Sequence, residues 1–565
     1  MARYFVSKSG SDSYNGLSDT GSWLTIQKAA STVSPGDLVR VRSGLYDERI
    51  SITTRTGTLQ NPIIYVADPG TIARGFQLNP GHNSKIINFE ITQTGTATNW
   101  EGIYLIGSRN CEIIDNYIHN TDQIGIRMSN GGTVNCIIRG NRVEYPRGVP
   151  GDSVGENAIA FGFGTGNLVE YNSVKRVGDY TNIGGVQNIV RNNYFGECSD
   201  SDFTEHVGSG VLGHHTDGVQ VAIATNNVVC NKILIDSNFM DRNVLDNGHF
   251  VLMRNTSDLR QFCHTIVTRY NVIANIGSAD GYEGVSGVKL YNNTYCNNNV
   301  ANLPKRGAVS FENSNNHTVL NNIFFDVSTP GYPPYSNTLA GSIPSCTGLS
   351  GNYNLSYLGG DLTGIYEITG IDPQFILQTG GRYQLKGGSI AINSGGPLTY
   401  ASANGTNTNI LNVYDSTFFF DGYGITSGDK IIVGSSNYTV ITGINYLENQ
   451  LLINSNITYS AGDSVRTTRN RDIGAYPYIA NSGYDIQANL VQNGENSYVI
   501  NTNYKDIINF VIFYEDGIPR RQLYDLPFTY QSSGGYVTAK AYHLYASATP
   551  VVEIDRAWPN FAAIF

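Results

Sequence analysis

The feature that most constrains this chain is a short motif that returns along its middle: alternating apolar residues, an Asn, then a second apolar pair. It reads Cys111-Glu112-Ile113-Ile114-Asp115-Asn116-Tyr117-Ile118, and again Cys136-Ile137-Ile138-Arg139-Gly140-Asn141-Arg142-Val143. A third copy runs from Val169 to Val174 around Asn172, and others centre on Asn193, Asn238, Asn271, Asn293 and Asn322. The intervals run from about twenty residues (Asn172 to Asn193) to the mid-forties (Asn193 to Asn238), the longest fitting two coils. A period in that range marks a solenoid. Each copy reads as a short strand, a turn at Asn and a second strand. Asn suits the turn because it tolerates left-handed backbone angles and bonds its own backbone. Stacked in register, the Asn amides can bond one another as a ladder.

A second strand series lies between the Asn copies: Gly102 to Ile106, Ile124 to Met128, Ile159 to Phe163, Gly218 to Ile223, His249 to Met253 and Ala308 to Phe311. Two or three sheets per coil is the geometry of a parallel β-helix. One coil cannot bury its apolar face, but a stack can, and 565 residues exceed what one compact core accommodates. Composition agrees. Charged residues are only 15%, with 63 Gly and 37 Tyr, which suits an all-β protein rich in tight turns and not a helical enzyme.

The start of the chain carries a resemblance. Tyr4-Phe5-Val6-Ser7, Gly10-Ser11-Asp12, Trp23-Leu24-Thr25-Ile26-Gln27-Lys28-Ala29, Pro35-Gly36-Asp37, Val39-Arg40-Val41 and Gly44-Leu45-Tyr46 resemble the opening of pectate-lyase-like right-handed parallel β-helix proteins. The resemblance implies a short helix at Thr25 to Ala29 that caps the open end of the stack, and a Pro-Gly-Asp turn into the first coil. Asp472-Ile473-Gly474-Ala475-Tyr476 resembles the closing coil of such proteins. The expected layout is a β-helix over 1–480, with the cap and first coil in 1–50. A small β-barrel-like insert is expected at about 400–466, where Gly428-Asp429 and Gly462-Asp463 turns separate alternating strands. Residues 483–565 read as a β-sandwich-like domain, from the strands around Val511 to Tyr514 and Tyr536 to Tyr542 and the Asp516-Gly517 turn. There Trp558, Tyr542, Tyr545 and Phe528 suit core packing more than a sugar platform.

A net charge of −10 and the lack of a basic stripe argue against a nucleic-acid partner. No stretch is apolar enough to span a bilayer as a helix. The N-terminus enters a folded element at once and lacks a signal-peptide core, so the chain folds in a cytoplasm or has lost a signal. Seven cysteines without CxxC pairs read as stacked core thiols, with Cys136, Cys198, Cys230, Cys263 and Cys296 in or near apolar strands.

Chemistry is expected on outward positions near the middle of the stack. β-Helix lyases take the C5 proton of a uronic acid with a basic side chain, and hydrolases use two carboxyls. The densest polar run holds Asp202, Glu205, His214, His215, Asp217 and Gln220. If Val219 and Val221 face inward, Gly218 and Gln220 face out and Asp217 stands at the corner. Asp217-Gly218-Val219-Gln220 resembles a segment recurrent in pectate-lyase-like proteins. His249 and Arg254 flank the next strand, Glu312 ends a later one, and Lys289 reads as an outward base on the Asn-bearing sheet. Catalysis is thus assigned to Asp217, His215, His214, Lys289 and Glu312, and substrate binding to Gln220, His249, Arg254, Asp202 and Glu205. No Gly-His-Gly or paired-Asp segment resembles polygalacturonase-type hydrolases, no Asp-Pro-His-Glu segment resembles alginate epimerases, and no calcium nonapeptide is present. The acidic run at 200–205 could bind Ca2+, although its spacing is not that of a defined loop.

Three functions remain open. A phage tailspike-like homotrimer that binds, and in its active form cleaves, a bacterial surface polysaccharide fits the free cysteines, the lack of a leader and the separate C-terminal part. Its partners would be the glycan and other virion tail proteins, and its place the virion tail. A secreted bacterial polysaccharide lyase and a non-catalytic glycan-binding spike are the alternatives.

Overall fold

The computed structural model describes residues 2–92, 101–128, 132–145, 157–198, 216–222, 229–243, 248–254, 263–277, 280–298, 307–312, 314–327, 333–336, 347–358, 360–362, 364–376, 383–469, 471–476, 478, 488–492, 497–502, 508–515, 517–523, 527–533, 537–543 and 551–554. Ile26–Thr32 forms the only helix among them. Thr25 caps it, its hydroxyl accepting from Lys28 N at 3.1 Å. The Glu48 carboxylate accepts from Ile26 N and Gln27 N, so orphan donors of the first turn are satisfied. Ile26, Ala29 and Ala30 are buried, covering the open end of the stack as expected.

The stem is one 35-stranded parallel system in which each coil contributes to three faces. The first sheet stacks Ile103–Leu105, Ile126–Met128, Ile159–Thr165, Thr181–Val186, Val219–Ala222, Val251–Arg254, Asp280–Glu283, Val309–Glu312 and Tyr335–Ser336. The second runs from Arg3–Val6 through Leu38–Val41, Ile63–Ala67, Ser84–Ile87 and Glu112–Ile114 to Ser350–Asn352. The third runs from Glu90–Thr92 through Tyr117–His119 to Leu355–Tyr357 and Ile368–Thr369. Alternation sends Ile113, Ile138, Val169, Val190 and Ile235 of the second sheet, and Ile118, Val143, Val174, Phe195 and Met240 of the third, into one core. Each fully buried Ile or Val contributes about 1.5–3 kcal/mol.

Asn116, Asn141, Asn172, Asn193, Asn238, Asn271, Asn293, Asn322 and Asn354 are buried at the bend between the second and third sheets. Each of the first eight donates its backbone N–H and its side-chain Nδ2 to Oδ1 of the next, at 2.8–3.1 Å. The ladder ends on Glu367, whose carboxylate accepts both Asn354 donors at 2.6 and 3.1 Å. The left-handed residue is not the ladder Asn but the one before it: Asp115, Gly140, Tyr171, Asn192, Ser237, Tyr270, Asn292, Asn321 or Tyr353. The expected turn chemistry is therefore displaced by one position. The ladder Asn is free to point inward because its neighbour makes the bend.

Two outer faces of the stack are covered. Against the second sheet lies a six-stranded antiparallel sheet between Thr399 and Thr467. A bridge from Ala401 to Val413 returns its last strand to its first, closing it as a barrel. Leu411, Val413, Phe418, Phe419 and Ile431 pack on Leu168, Ile189, Leu234, Val267 and Tyr291. Against the third sheet, Phe375, Tyr383, Leu385, Ile473, Ala475 and Tyr476 cover Tyr194, Phe239, Val272 and Ile323. Residues 472–476 thus do not close the stack with a coil. They form an outer strap: Gly474 N donates to Asn321 O and Asn292 Nδ2 donates to Asp472 O, both at a left-handed bend.

Three- and four-stranded antiparallel sheets within Ala488–Ile554 enclose Leu490, Tyr498, Ile500, Val511, Phe513, Phe528 and Val537. Phe528 and Tyr542 are buried, as core packing requires, while Tyr545 and Trp558 lie outside the described residues. This part meets the stem at Asp115, which accepts from Tyr514 Oη at 2.9 Å and pairs with Lys540 at 3.0 Å. The described cysteines 111, 136, 198, 230 and 296 are buried and form no disulfide. No helix among the described residues is long and apolar enough to cross a membrane.

Candidate functional site

With the second and third sheets covered, the outer face of the first is the face of the stack that no described element packs upon. Its outward row follows the register Tyr104, Arg127, Ala160, Asn182, Gln220, Leu252, Gly281 and Ser310. The chain enters this sheet at a corner where Asp179, Asp217 and His249 stand on successive coils: Tyr180 N donates to Asp217 O, and Gly218 N to His249 O. Val219, Val221, Val251 and Met253 are fully buried, so the inward parity of both strands is settled and Gln220 faces out.

At this corner His249 Nδ1 lies 2.9 Å from Asp217 Oδ1. Asp217 is wholly buried, and the His249 side chain is 12% exposed. A buried carboxylate on Nδ1 fixes the tautomer with the proton on that nitrogen and leaves Nε2 as an acceptor. Nε2 has no hydrogen-bond partner among the described residues. Gln220 Nε2 donates to Asp217 Oδ2 at 3.5 Å, Asn182 Nδ2 donates to Gln220 Oε1 at 2.7 Å, and Asp217 N donates to Asp179 Oδ1 at 3.2 Å. The result is a histidine oriented by a carboxylate, with neutral amides beside it, at the edge of the sheet face that no described element packs upon. That arrangement has the chemistry to accept a proton at Nε2 and give it back.

The sequence-derived residues divide by where the fold puts them. Asp217, Gln220 and His249 come together, and His249, read from the sequence as a binding residue, is the one paired with Asp217. Asp202, Glu205, His214 and His215 lie outside the described residues, as does the 200–205 run considered for Ca2+. Arg254 ends the strand after His249, in register with Ala222, and its side chain is outside the described set. Glu312 is on the same sheet farther up the stack, register partner of Glu283. The burial of Asp280 and Tyr282 turns both glutamates to the outer face. Lys289 is corrected: it does point outward, but beneath the barrel, paired with Asp415 at 2.8 Å and 4.6 Å from the Phe418 ring centroid. It is buried on another sheet, beneath the barrel and away from the outer face of the first sheet. Among the described residues no three His, Cys, Asp or Glu gather as a metal site.

Three contributors escaped the sequence reading. Asn182 belongs to the Thr181–Val186 strand, which is too rich in Gly and Asn to read as one, and Asp179 stands at the corner just before it. Asp280 sits in Asp280–Glu283, where the alternation with Tyr282 was the available signal that it faces inward. It is fully buried, and burial pushes its carboxyl up to about 7 against hydrogen bonds from Val251 N, Tyr295 Oη and Phe250 N and the charge of His249.

Residues 74–256 match the family described as the right handed beta helix region. The stem is a right-handed parallel β-helix. Solved structures with similar chain paths include XylC in complex with xylose, at 12% identity and TM-score 0.44, covering 82% of this chain and 99% of that one. Pectate lyase Pel9A gives 15% identity and TM-score 0.41, covering 72% and 94%. The tailspike protein of E. coli bacteriophage HK620, in complex with a pentasaccharide, gives 12% identity and TM-score 0.40, covering 80% and 90%. Comparison with curated proteins gives no match.

Proposed function

We propose that this β-helix is a tailspike-like protein that binds a bacterial surface polysaccharide along the outer face of its first sheet and cleaves it beside His249. The observation that carries the reading is the His249–Asp217 pair, set at the corner of the one stem face that no described element covers. A glycan lying along the axis would meet the row from Tyr104 to Leu252, with Arg127 over the Tyr104 ring at one end and Gln220 beside the pair. His249 Nε2 takes the C5 proton of a uronic acid, the C4–O bond breaks as a C4–C5 double bond forms, and the imidazolium, held by Asp217, returns the proton to the leaving oxygen. Diffusing a host oligosaccharide into crystals of His249→Gln tests the placement. Density along Tyr104, Asn182 and Gln220 supports it, and density confined to another face removes it. The same reading makes the protein a homotrimer in a virion tail, and a monomeric mass in solution argues against that part.

A second reading rests on Glu283 and Glu312, outward register partners on adjacent coils. Neighbouring coils are about 4.8 Å apart, close enough for the paired carboxyls of a retaining hydrolase. In that case Glu283→Gln abolishes turnover and His249→Gln spares it.

A further inference from the structure

Asp280 is a carboxylate in a row that is otherwise apolar or hydroxyl-bearing. Its equivalents on preceding coils are Ile126, Ile159, Thr181, Val219 and Val251, and Val309 follows it. Burying a carboxyl among such residues is costly unless it is strongly bonded. Here Oδ1 accepts from Phe250 N at 3.0 Å and Val251 N at 2.9 Å, and Oδ2 accepts from Tyr295 Oη at 3.0 Å.

Those two backbone donors immediately follow His249. At the same corner of other coils the equivalent donors go to peptide carbonyls of the next coil: Ala158 N to Asp179 O, Ile159 N to Tyr180 O, Gly218 N to His249 O and Val219 N to Phe250 O. On the His249 coil an ionisable side chain takes both. The chain leaving the reactive histidine is therefore tied to a group whose charge can change, where a peptide would have held it permanently.

We propose that Asp280 is a positioning residue that holds the His249 corner and keeps the imidazole on Asp217, more tightly when its carboxyl is ionised than when it is protonated. This rests on the reading of His249 and Asp217 as the reactive pair. The charged or titratable groups facing Asp280 are His249 from the preceding coil and Tyr282 and Tyr295 from within the core. No Lys or Arg among the described residues pairs with it. As an ionised carboxylate it makes three charge-assisted bonds. Protonated on Oδ2, the carboxyl donates to the Tyr295 hydroxyl, and Oδ1 becomes a neutral, weaker acceptor for Phe250 N and Val251 N. These two local bonds therefore weaken as pH falls through about 7, even though burial favours the neutral carboxyl overall.

The test uses the full chain with Asp280→Ala and Asp280→Asn, crystal structures of each, and turnover on a polysaccharide that the wild type cleaves. Asp280→Ala should open the His249–Asp217 contact and lower kcat about 100-fold with KM little changed, the scale expected for a misplaced catalytic group. Asp280→Asn keeps both acceptor bonds, so it should restore the contact and most of kcat and flatten the pH response near 7. An Asp280→Ala enzyme with the contact intact and wild-type kcat overturns the proposal, as does an Asp280→Asn profile identical to wild type. If Asp280→Ala does not fold, the Asp280→Asn profile decides. If the wild type cleaves nothing, the reading of the pair fails separately. The positioning role is then judged from crystals at about pH 5.5 and 8.5. A His249–Asp217 distance that changes with pH in wild type but not in Asp280→Asn supports it, and a distance that is constant in both overturns it.

Discussion

His249 Nδ1 and Asp217 Oδ1 lie 2.9 Å apart across two successive coils, although 32 residues separate them in the chain. The pair exists only because the solenoid returns to the same corner once per coil. Replacing Asp217 with Asn keeps its size but offers Nδ1 either a weaker acceptor or an amide donor, which selects the wrong tautomer. Asp217→Asn should lower kcat by about 100-fold or more while leaving glycan affinity and the urea midpoint near wild type. Steady-state kinetics beside equilibrium unfolding checks this.

The Asn ladder makes a separate prediction about stability. In Asn238→Ala the side chain that accepts from Asn193 N and Nδ2, each at 3.0 Å, is gone, and Val190 O loses its donor. Each buried group left unpaired costs about 1–3 kcal/mol, so the loss should be about 3–5 kcal/mol after partial relaxation. Urea unfolding followed by circular dichroism measures it.

Lys289 should behave as an anchor. Lys289→Met removes the partner of Asp415 under the barrel and should cost about 1–3 kcal/mol, less than a fully buried pair because Asp415 is one-third exposed. Turnover should be unchanged. A loss of kcat without loss of stability would restore Lys289 as a catalytic base.

Acid should loosen the stem where the C-terminal sheets meet it. Burial alone would raise the carboxyl of Glu170, but Arg139 and Arg191, at 2.5 and 2.8 Å, outweigh it and hold it below the ordinary range. Its stabilisation is therefore full above its unfolded value and lost as pH falls through the lower folded one, in the acid range below about 4. Asp280 has the opposite sign: its contribution is present below about 4 and is lost as pH rises through about 7, by at most about 4 kcal/mol. Glu170→Gln should flatten the acid limb of a stability–pH curve, and Asp280→Asn the limb between pH 4 and 7.

Much of the stem was legible because its repeat is a matter of residue type. The spacing of Asn116, Asn141 and Asn172 is one that only a stacked coil explains. The left-handed bend was misassigned because Asp115, Gly140, Tyr171 and Ser237 share no side-chain type that a sequence pattern could register. The strands Thr181–Val186 and Asp280–Glu283 were missed because coil stacking imposes them on sequences with little strand propensity. Lys289 was correctly read as outward. Its cover lies over a hundred residues later at Asp415 and Phe418, and local alternation carries no trace of such a contact. Asp217 and Gln220 were visible from strand parity, whereas the pairing of His249 with Asp217 required the distance between two coils.

The most direct measurement is to incubate wild type and His249→Gln with a panel of uronic-acid-containing and neutral bacterial polysaccharides, including the host glycan, following reducing ends and ultraviolet absorbance together. The account predicts that wild type releases reducing ends with absorbance from unsaturated products, and that His249→Gln binds the same polymer and releases neither. Reducing ends without absorbance, or undiminished cleavage by His249→Gln, would contradict it.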